Sequence, residues 1–222
     1  MGVAGQARLI PPAGRPGALR LGFHLEPGQT VGLFGGSFNP AHDGHRHVAE
    51  TALKRLGLDR VIWLVSPQNP LKPTHETAEL HRRLDGARRL AKGPSMVVSD
   101  AERRIGSQYT LDTLRVLKAR YPAVRFVWIM GADNLAGFHR WRGWAQILRL
   151  VPVAVVARPG SSLKGLSGPM ARRFAAARVP AGAASRLAWR RPPAWTYLPA
   201  PLHFASSTAL RARLLRIIQT RG

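Results

Sequence analysis

The 222-residue sequence predicts an α/β protein: a doubly wound parallel sheet with helices on both faces. Three observations predict it. Residues 30–34, 60–65 and 125–130 are near-continuous apolar runs, the composition of strands covered on both sides. Segments with apolar residues at helical spacing lie between them. Two of the runs empty into glycine-containing turns that open the next helix, the arrangement found where a parallel strand ends and a ligand can sit.

In order along the chain, residues 1–24 hold Gly, Pro, Ala and Arg with no acidic residue and read as a loose N-terminal tail. Residues 25–220 read as one domain, with 160–194 as a variable excursion within it. Glu26-Pro27-Gly28 is a turn that launches the first strand, 30–34. The helix that follows, 45–56, carries Val48, Ala49, Ala52, Leu53 and Leu56 on one face and stops at Gly57. Strand 60–65 leads into the proline-rich loop 66–73, which ends near Lys72. Residues 76–92 form a helix with Leu80, Leu84, Ala87 and Leu90 or Ala91 inward and Arg82, Arg83, Arg88 and Arg89 mostly outward. A short strand at 95–99 precedes a loop, 100–108, and a helix from Thr110 to about Arg120 with Leu111, Leu114 and Leu117 or Lys118 along one face. Strand 125–130 ends in Gly131-Ala132-Asp133-Asn134, again a turn into a helix. After an aromatic-rich stretch, 138–144, come a helix at 146–150, a strand at 153–157, a helix within 170–178, a strand at 195–198 and a terminal helix opened by Ser206-Ser207-Thr208.

The chemistry concentrates in the first turn, Gly35-Gly36-Ser37-Phe38-Asn39-Pro40-Ala41-His42-Asp43-Gly44-His45. A helix start presents N–H groups without intrahelical partners and the positive end of a dipole, so it favours a bound phosphate. Gly35 and Gly36 let a phosphate approach the backbone. His42 and His45 are three residues apart, so both rings can face one anion as hydrogen-bond donors. No Lys-Ser or Lys-Thr follows the glycines and the dinucleotide spacing is absent, which excludes the two commoner phosphate loops. A metal held by His42, Asp43, His45 and His47 is the rival reading of the cluster.

Composition narrows the classes further. There is no cysteine, which removes disulfides, thiolate zinc sites and Cys nucleophiles and suits a cytoplasmic protein. No apolar run approaches the ~20 residues that cross a bilayer. The formal charge is +23, and residues 134–222 carry 15 Lys or Arg with no Asp or Glu. Such a field draws in polyanions — nucleotides, pyrophosphate or nucleic acid — without choosing among them. No recognised nucleic-acid motif accompanies it, so the expectation there is salt-sensitive, nonspecific binding and no specific nucleic-acid partner.

The pattern Gly-x-Phe-Asn-Pro-x-His-x-Gly-His resembles the His-x-Gly-His signature of the nucleotidyltransferase superfamily, with Asn39 where many members have Asp. Three later stretches narrow the resemblance: Tyr109-Thr110-x-Asp112-Thr113-Leu114, Gly131-x-Asp133-Asn134 followed by Phe138-x-x-Trp141, and Ser206-Ser207-Thr208-x-x-Arg211. Together they resemble bacterial nicotinate-nucleotide adenylyltransferase. The resemblance implies a Rossmann-like nucleotidyltransferase fold and AMP transfer from ATP to nicotinate mononucleotide, with Mg2+ arriving on the ATP phosphates and no protein metal site. It implies His42, His45 and Arg211 as catalytic residues. The ATP side would comprise Gly35, Gly36, Ser37, Phe38, His42, His45, Gly131, Asp133, Ser207, Thr208 and Arg211. Tyr109, Thr110 and Trp141 would take the acceptor, Trp141 by stacking on the nicotinate ring; Lys72 is a candidate acceptor-phosphate contact from the place of its loop at the carboxyl edge of the sheet. Related adenylyl- and cytidylyltransferases that use nicotinamide mononucleotide or pantetheine phosphate are the neighbouring alternatives. The oligomeric state, monomer or homodimer, stays open.

Overall fold

The computed structural model describes residues 19–67, 78–158 and 163–200. Its centre is a seven-stranded, all-parallel sheet in the order β3-β2-β1-β4-β5-β7-β6. The strands are β1 Thr30–Gly36, β2 Arg60–Val65, β3 Met96–Ser99, β4 Arg125–Gly131, β5 Val153–Val156, β6 Arg178–Val179 and β7 Trp195–Leu198. The helices are α1 Asp43–Leu56, α2 Leu80–Leu90, α3 Ala101–Ile105, α4 Thr110–Arg120, α5 Ala132–Leu135, α6 Trp144–Leu150 and α7 Pro169–Arg173. The expected doubly wound parallel architecture is therefore present.

Each strand divides its side chains between two cores, as a pleat of period two requires. Val31 and Leu33, Ile62 and Leu64, Phe126, Trp128 and Met130, and Val153 and Val155 meet α3 to α7 on one face. Phe34, Trp63, Val127, Ile129, Ala154 and Val156 meet α1, α2 and residues 181–189 on the other. Val48, Ala49, Ala52 and Leu56 are the buried stripe of α1, as their spacing predicts. That helix ends at Gly57, whose φ of 61° is left-handed and whose N–H bonds the Leu53 carbonyl. The lower ends of β1 and β2 are stapled by Asp59, which accepts from the Thr30 N–H at 2.7 Å and its hydroxyl at 2.9 Å. Those bonds, the backbone one foremost, hold the Asp59 carboxyl below its ordinary range.

The structure departs from the sequence-based expectations in four places. Residues 19–24 are not loose: Leu21 is buried in the first core and its carbonyl accepts from the Ser99 hydroxyl. Residues 101–105 are helical rather than loop, because Asp100 captures Arg103 and Arg104 one turn on and Gly106 closes the turn with φ 73°. Burial raises the Asp100 pKa, but hydrogen bonds from Arg104 and Arg103 outweigh it and leave the carboxyl below its ordinary range. The 163–194 segment is built into the fold: Met170 and Phe174 enter one core, Val179 and Leu187 the other, and β6 pairs with β7 at the sheet edge. Arg83, expected outward, is 3% exposed. It occupies the inward stripe of α2 because its guanidinium has carbonyls to bond there. The terminal helix expected after residue 206 lies outside the described residues.

Candidate active site

β1 and β4 are neighbours in the sheet but not in the chain: β2 lies on one side of β1, and β4 and β5 on the other. Their carboxyl ends therefore flank the point where strand order reverses, the crevice in which open α/β sheets bind ligands. Gly35 and Gly36 end β1 there and Gly131 ends β4. Each of these glycines has a packing reason as well. A Cβ at Gly35 would stand 2.3 Å from the Trp128 ring, and one at Gly36 would stand 3.0 Å from the Phe38 ring. One at Gly131 would collide with Asp133 and Arg158.

The turn after β1 delivers the two histidines. His42 caps α1 in an extended conformation and His45 is its third residue. Their ring centroids are 3.8 Å apart, so the spacing in sequence does bring them together. His45 Nδ1 accepts from the His42 backbone N–H at 3.2 Å. In the neutral ring the proton then sits on Nε2, which makes that atom a donor suited to a phosphate oxygen. Beneath His45, Phe34, Phe38 and Trp63 form an aromatic platform, with the Phe38 centroid 5.0 Å from the imidazole. Phe38, expected on the ATP side, is 1% exposed. Its φ of 45° accompanies a side chain turned into the core, where its ring packs edge-on against His45. Asn39 Oδ1 accepts from the Ala78 N–H at 3.3 Å, a turn-shaping bond that needs no charge.

At the end of β4, Asp133 pairs with Arg158 at 3.1 Å. Arg158 follows β5, and its Nη2 lies 3.3 Å from His42 Nε2. Guanidinium only donates, so where this contact is a hydrogen bond His42 Nε2 accepts it. The histidine pair thus has a cation beside it that sequence reasoning missed. The available signal was an Arg-Pro-Gly directly after the fifth apolar run, at the carboxyl end of a strand.

A second cluster gathers at the start of α4. Tyr109 is the residue that caps the helix and Thr110 its first residue. The first N–H groups of the helix, at Thr110 and Leu111, have no intrahelical carbonyl to bond. Arg142 stacks its guanidinium 4.5 Å from the Tyr109 ring centroid and reaches Asp112 at 3.4 Å. Its neighbour Trp141 is half-buried, packed against Phe138 at 5.1 Å and Trp128 at 6.3 Å. Arg142 was not singled out from the sequence, where it is one arginine among many. Ser107 braces this corner: its hydroxyl accepts from the Tyr109 N–H and donates to the Tyr109 carbonyl, while its own N–H bonds the Glu102 carbonyl. Glu102 is 4% exposed. Burial pushes its carboxyl up to about 7, against a smaller opposing effect of its hydrogen bond with the Ser66 side chain.

Lys72, Ser207, Thr208 and Arg211 lie outside the described residues. Among the described residues, no group of three or more His, Asp or Glu side chains is gathered to hold a metal ion, so the four-residue rival at 42–47 has no such cage there. Among them, too, no helix is long and apolar enough to cross a membrane.

The parallel sheet, with paired histidines at its first strand-to-helix turn, belongs to the cytidylyltransferase-like class of nucleotidyltransferases. That family's model matches residues 33–213. A relative from Caulobacter sp. strain K31, named "Probable nicotinate-nucleotide adenylyltransferase", is 68% identical over 86% of this chain and 99% of its own length. One of the same name from Rhizobium meliloti is 54% identical over 82% of this chain and 97% of its own. Within the class, the chain belongs to the nicotinate-nucleotide adenylyltransferase family. The fold is shared with the Plasmodium falciparum nicotinic acid mononucleotide adenylyltransferase complexed with NaAD, at 16% identity, with TM-score 0.61 and 83% of each chain covered.

Proposed function

We propose that the chain transfers the adenylyl group of ATP to nicotinate mononucleotide, giving deamido-NAD and pyrophosphate in NAD synthesis. The observation that carries this is the pairing of His42 and His45, ring to ring, at the helix start beside Arg158 and Asp133. A phosphate oxygen of the acceptor attacks the α-phosphorus of ATP. The new P–O bond forms as the bond to the bridging oxygen breaks, and pyrophosphate leaves with the electron pair. The acceptor phosphate is already ionised at neutral pH, so no general base is required. The work left to the protein is holding two polyanions together and stabilising charge where it develops.

In this reading His45 donates through Nε2 to the α-phosphate. His42 and Arg158 serve the neighbouring oxygens, an incoming phosphate taking over the contact they now make with each other. Gly35, Gly36, Ser37 and Gly131 let the nucleotide approach the backbone, and Asp133 orders the ATP side. Ser207, Thr208 and Arg211 complete the ATP side by resemblance, gripping the β- and γ-phosphates. ATP would enter as its Mg2+ complex, the metal carried on the phosphates. On the acceptor side, Trp141 stacks on the pyridine ring and the N–H groups at the start of α4 receive its carboxylate. A row of donors at a positive helix end favours an acid over an amide, whose NH2 would meet other donors. Lys72, in the loop that follows β2 in the sequence, adds a cation for the acceptor phosphate.

The test is pyrophosphate release from Mg–ATP with nicotinate and nicotinamide mononucleotides as parallel acceptors, on wild type and His45→Ala. Turnover with the acid, lost by about 100-fold or more in the variant, is the expected result. Turnover with the amide alone, or with pantetheine phosphate alone, would reassign the acceptor.

A further inference from the structure

Arg83 is a buried charge that the reaction above does not use. It lies in the first turn of α2, in register with Leu80, Leu84 and Ala87, where a periodic helix would place an apolar residue. Its neighbours Arg82, Arg88 and Arg89 are exposed. Burial lowers its pKa, and among the described residues no carboxylate pairs with it to compensate its desolvation. What satisfies it is a set of four backbone carbonyls. Nε donates to Ala78 at 2.8 Å, Nη1 to Ser37 at 2.9 Å and to Ser66 at 2.6 Å, and Nη2 to Pro67 at 2.8 Å.

The identity of those carbonyls gives the arrangement its meaning. Ser37 belongs to the phosphate turn after β1. Ser66 and Pro67 open the loop after β2. The two strands are paired with Gly36 opposite Val65, and the Ser66 N–H bonds the Gly36 carbonyl at 3.0 Å, so the loops leave the sheet side by side. Beyond the last ladder bond, loop carbonyls have no regular partner, and one planar guanidinium supplies donors to both loops at fixed angles. Ser66 is held from its other end by its hydrogen bond to Glu102, whose carbonyl braces Ser107 under Tyr109.

We propose that Arg83 is a positioning residue for the transfer: it splints the phosphate turn to the β2 loop and so fixes the spacing between the ATP side and the acceptor side. The inference rests on the assignment of those two sides given above. It touches neither substrate, so its effect falls on alignment. Displacing reacting groups by about 1 Å can cost on the order of 100-fold in rate.

The experiment uses Arg83→Lys, which keeps the charge but offers a single ammonium, and Arg83→Gln, which covers the case in which lysine cannot be accommodated. Leu84→Ala, on the same buried face of α2, is the control for stability alone. Thermal melts give the folded fraction at the assay temperature. Steady-state kinetics with Mg–ATP and nicotinate mononucleotide varied in turn then give kcat and both KM values per folded molecule. The expected result is a kcat reduced about 10- to 100-fold in folded Arg83→Lys or Arg83→Gln, with both KM values raised, while Leu84→Ala melts lower and keeps wild-type kinetics. Wild-type kinetics in a folded Arg83 variant would overturn the inference. So would an equal loss in Leu84→Ala, or failure of both Arg83 variants to fold, either of which makes the residue purely structural. An inactive wild type would instead refute the proposed reaction.

Discussion

Glu102→Gln should make the protein more resistant to unfolding at alkaline pH than at acid pH, relative to wild type. Glu102 is a buried carboxyl whose hydroxyl partner is Ser66, and among the described residues no cation pairs with it: the adjacent Arg103 and Arg104 are both engaged by Asp100. Its pKa stands at about 7 in the folded protein against an ordinary 4.5. Because the folded value is raised, the stability tied to its proton is fully present below about pH 4.5. It is lost as pH climbs through about 7, where the folded state must ionise a group the unfolded chain has already ionised. The difference between the two values corresponds to roughly 3 kcal/mol. Glutamine keeps the shape and the hydroxyl bond without ionising. The difference in unfolding free energy, variant minus wild type, should therefore swing by up to about 3 kcal/mol in favour of the variant between pH 4.5 and pH 8. At an m-value of about 2–3 kcal/mol/M that is a relative shift of about 1 M in the urea midpoint. Urea titrations of both proteins across that range measure it, and every other titrating group cancels in the subtraction. A difference that stays flat, or one that falls with pH, would refute the reasoning.

Three further outcomes follow from the geometry. Gly35→Ala places a methyl where the Trp128 ring stands 2.3 Å away, so chemical denaturation should show a loss of about 1–3 kcal/mol, and activity should fall further because the phosphate turn moves with it. Leu114→Ala, in a fully buried position of α4, should cost about 2–5 kcal/mol without altering kcat at temperatures where the variant is folded. Trp141→Ala should raise the KM for nicotinate mononucleotide about 10- to 100-fold and leave that for Mg–ATP near the wild-type value, a split that initial-rate kinetics would expose.

The strands show where sequence reading succeeds. β2 and β7 match residues 60–65 and 195–198, and β1, β3, β4 and β5 differ from expectation by one or two residues at an end. Parallel strands covered on both faces must be apolar throughout, so composition alone marks them. The pairing of His42 with His45 was legible for a related reason: three residues on a helix is a local distance, set by the backbone. The miss at α3 was also local in kind. Asp100 with Arg103 and Arg104 is a helical pattern, but five residues are too few for periodicity to declare it.

Arg83, Arg142 and Arg158 mark the other limit. In a chain with 34 Lys and Arg, nothing in their types distinguishes them from the solvated majority. Arg158 meets His42 across 116 positions, and Arg83 meets Ser37 across 46. What the sequence by itself determined is the alternation of elements, the two-faced pattern of each strand and the residue types of the phosphate turn, all of which depend on neighbours a few positions away. What only the tertiary structure decided is which cations are spent on carbonyls, rings and carboxylates and which face the crevice. Burial and partnership at long range follow from how strands β1, β2, β4 and β5 are ordered in the sheet, and no local pattern encodes that order.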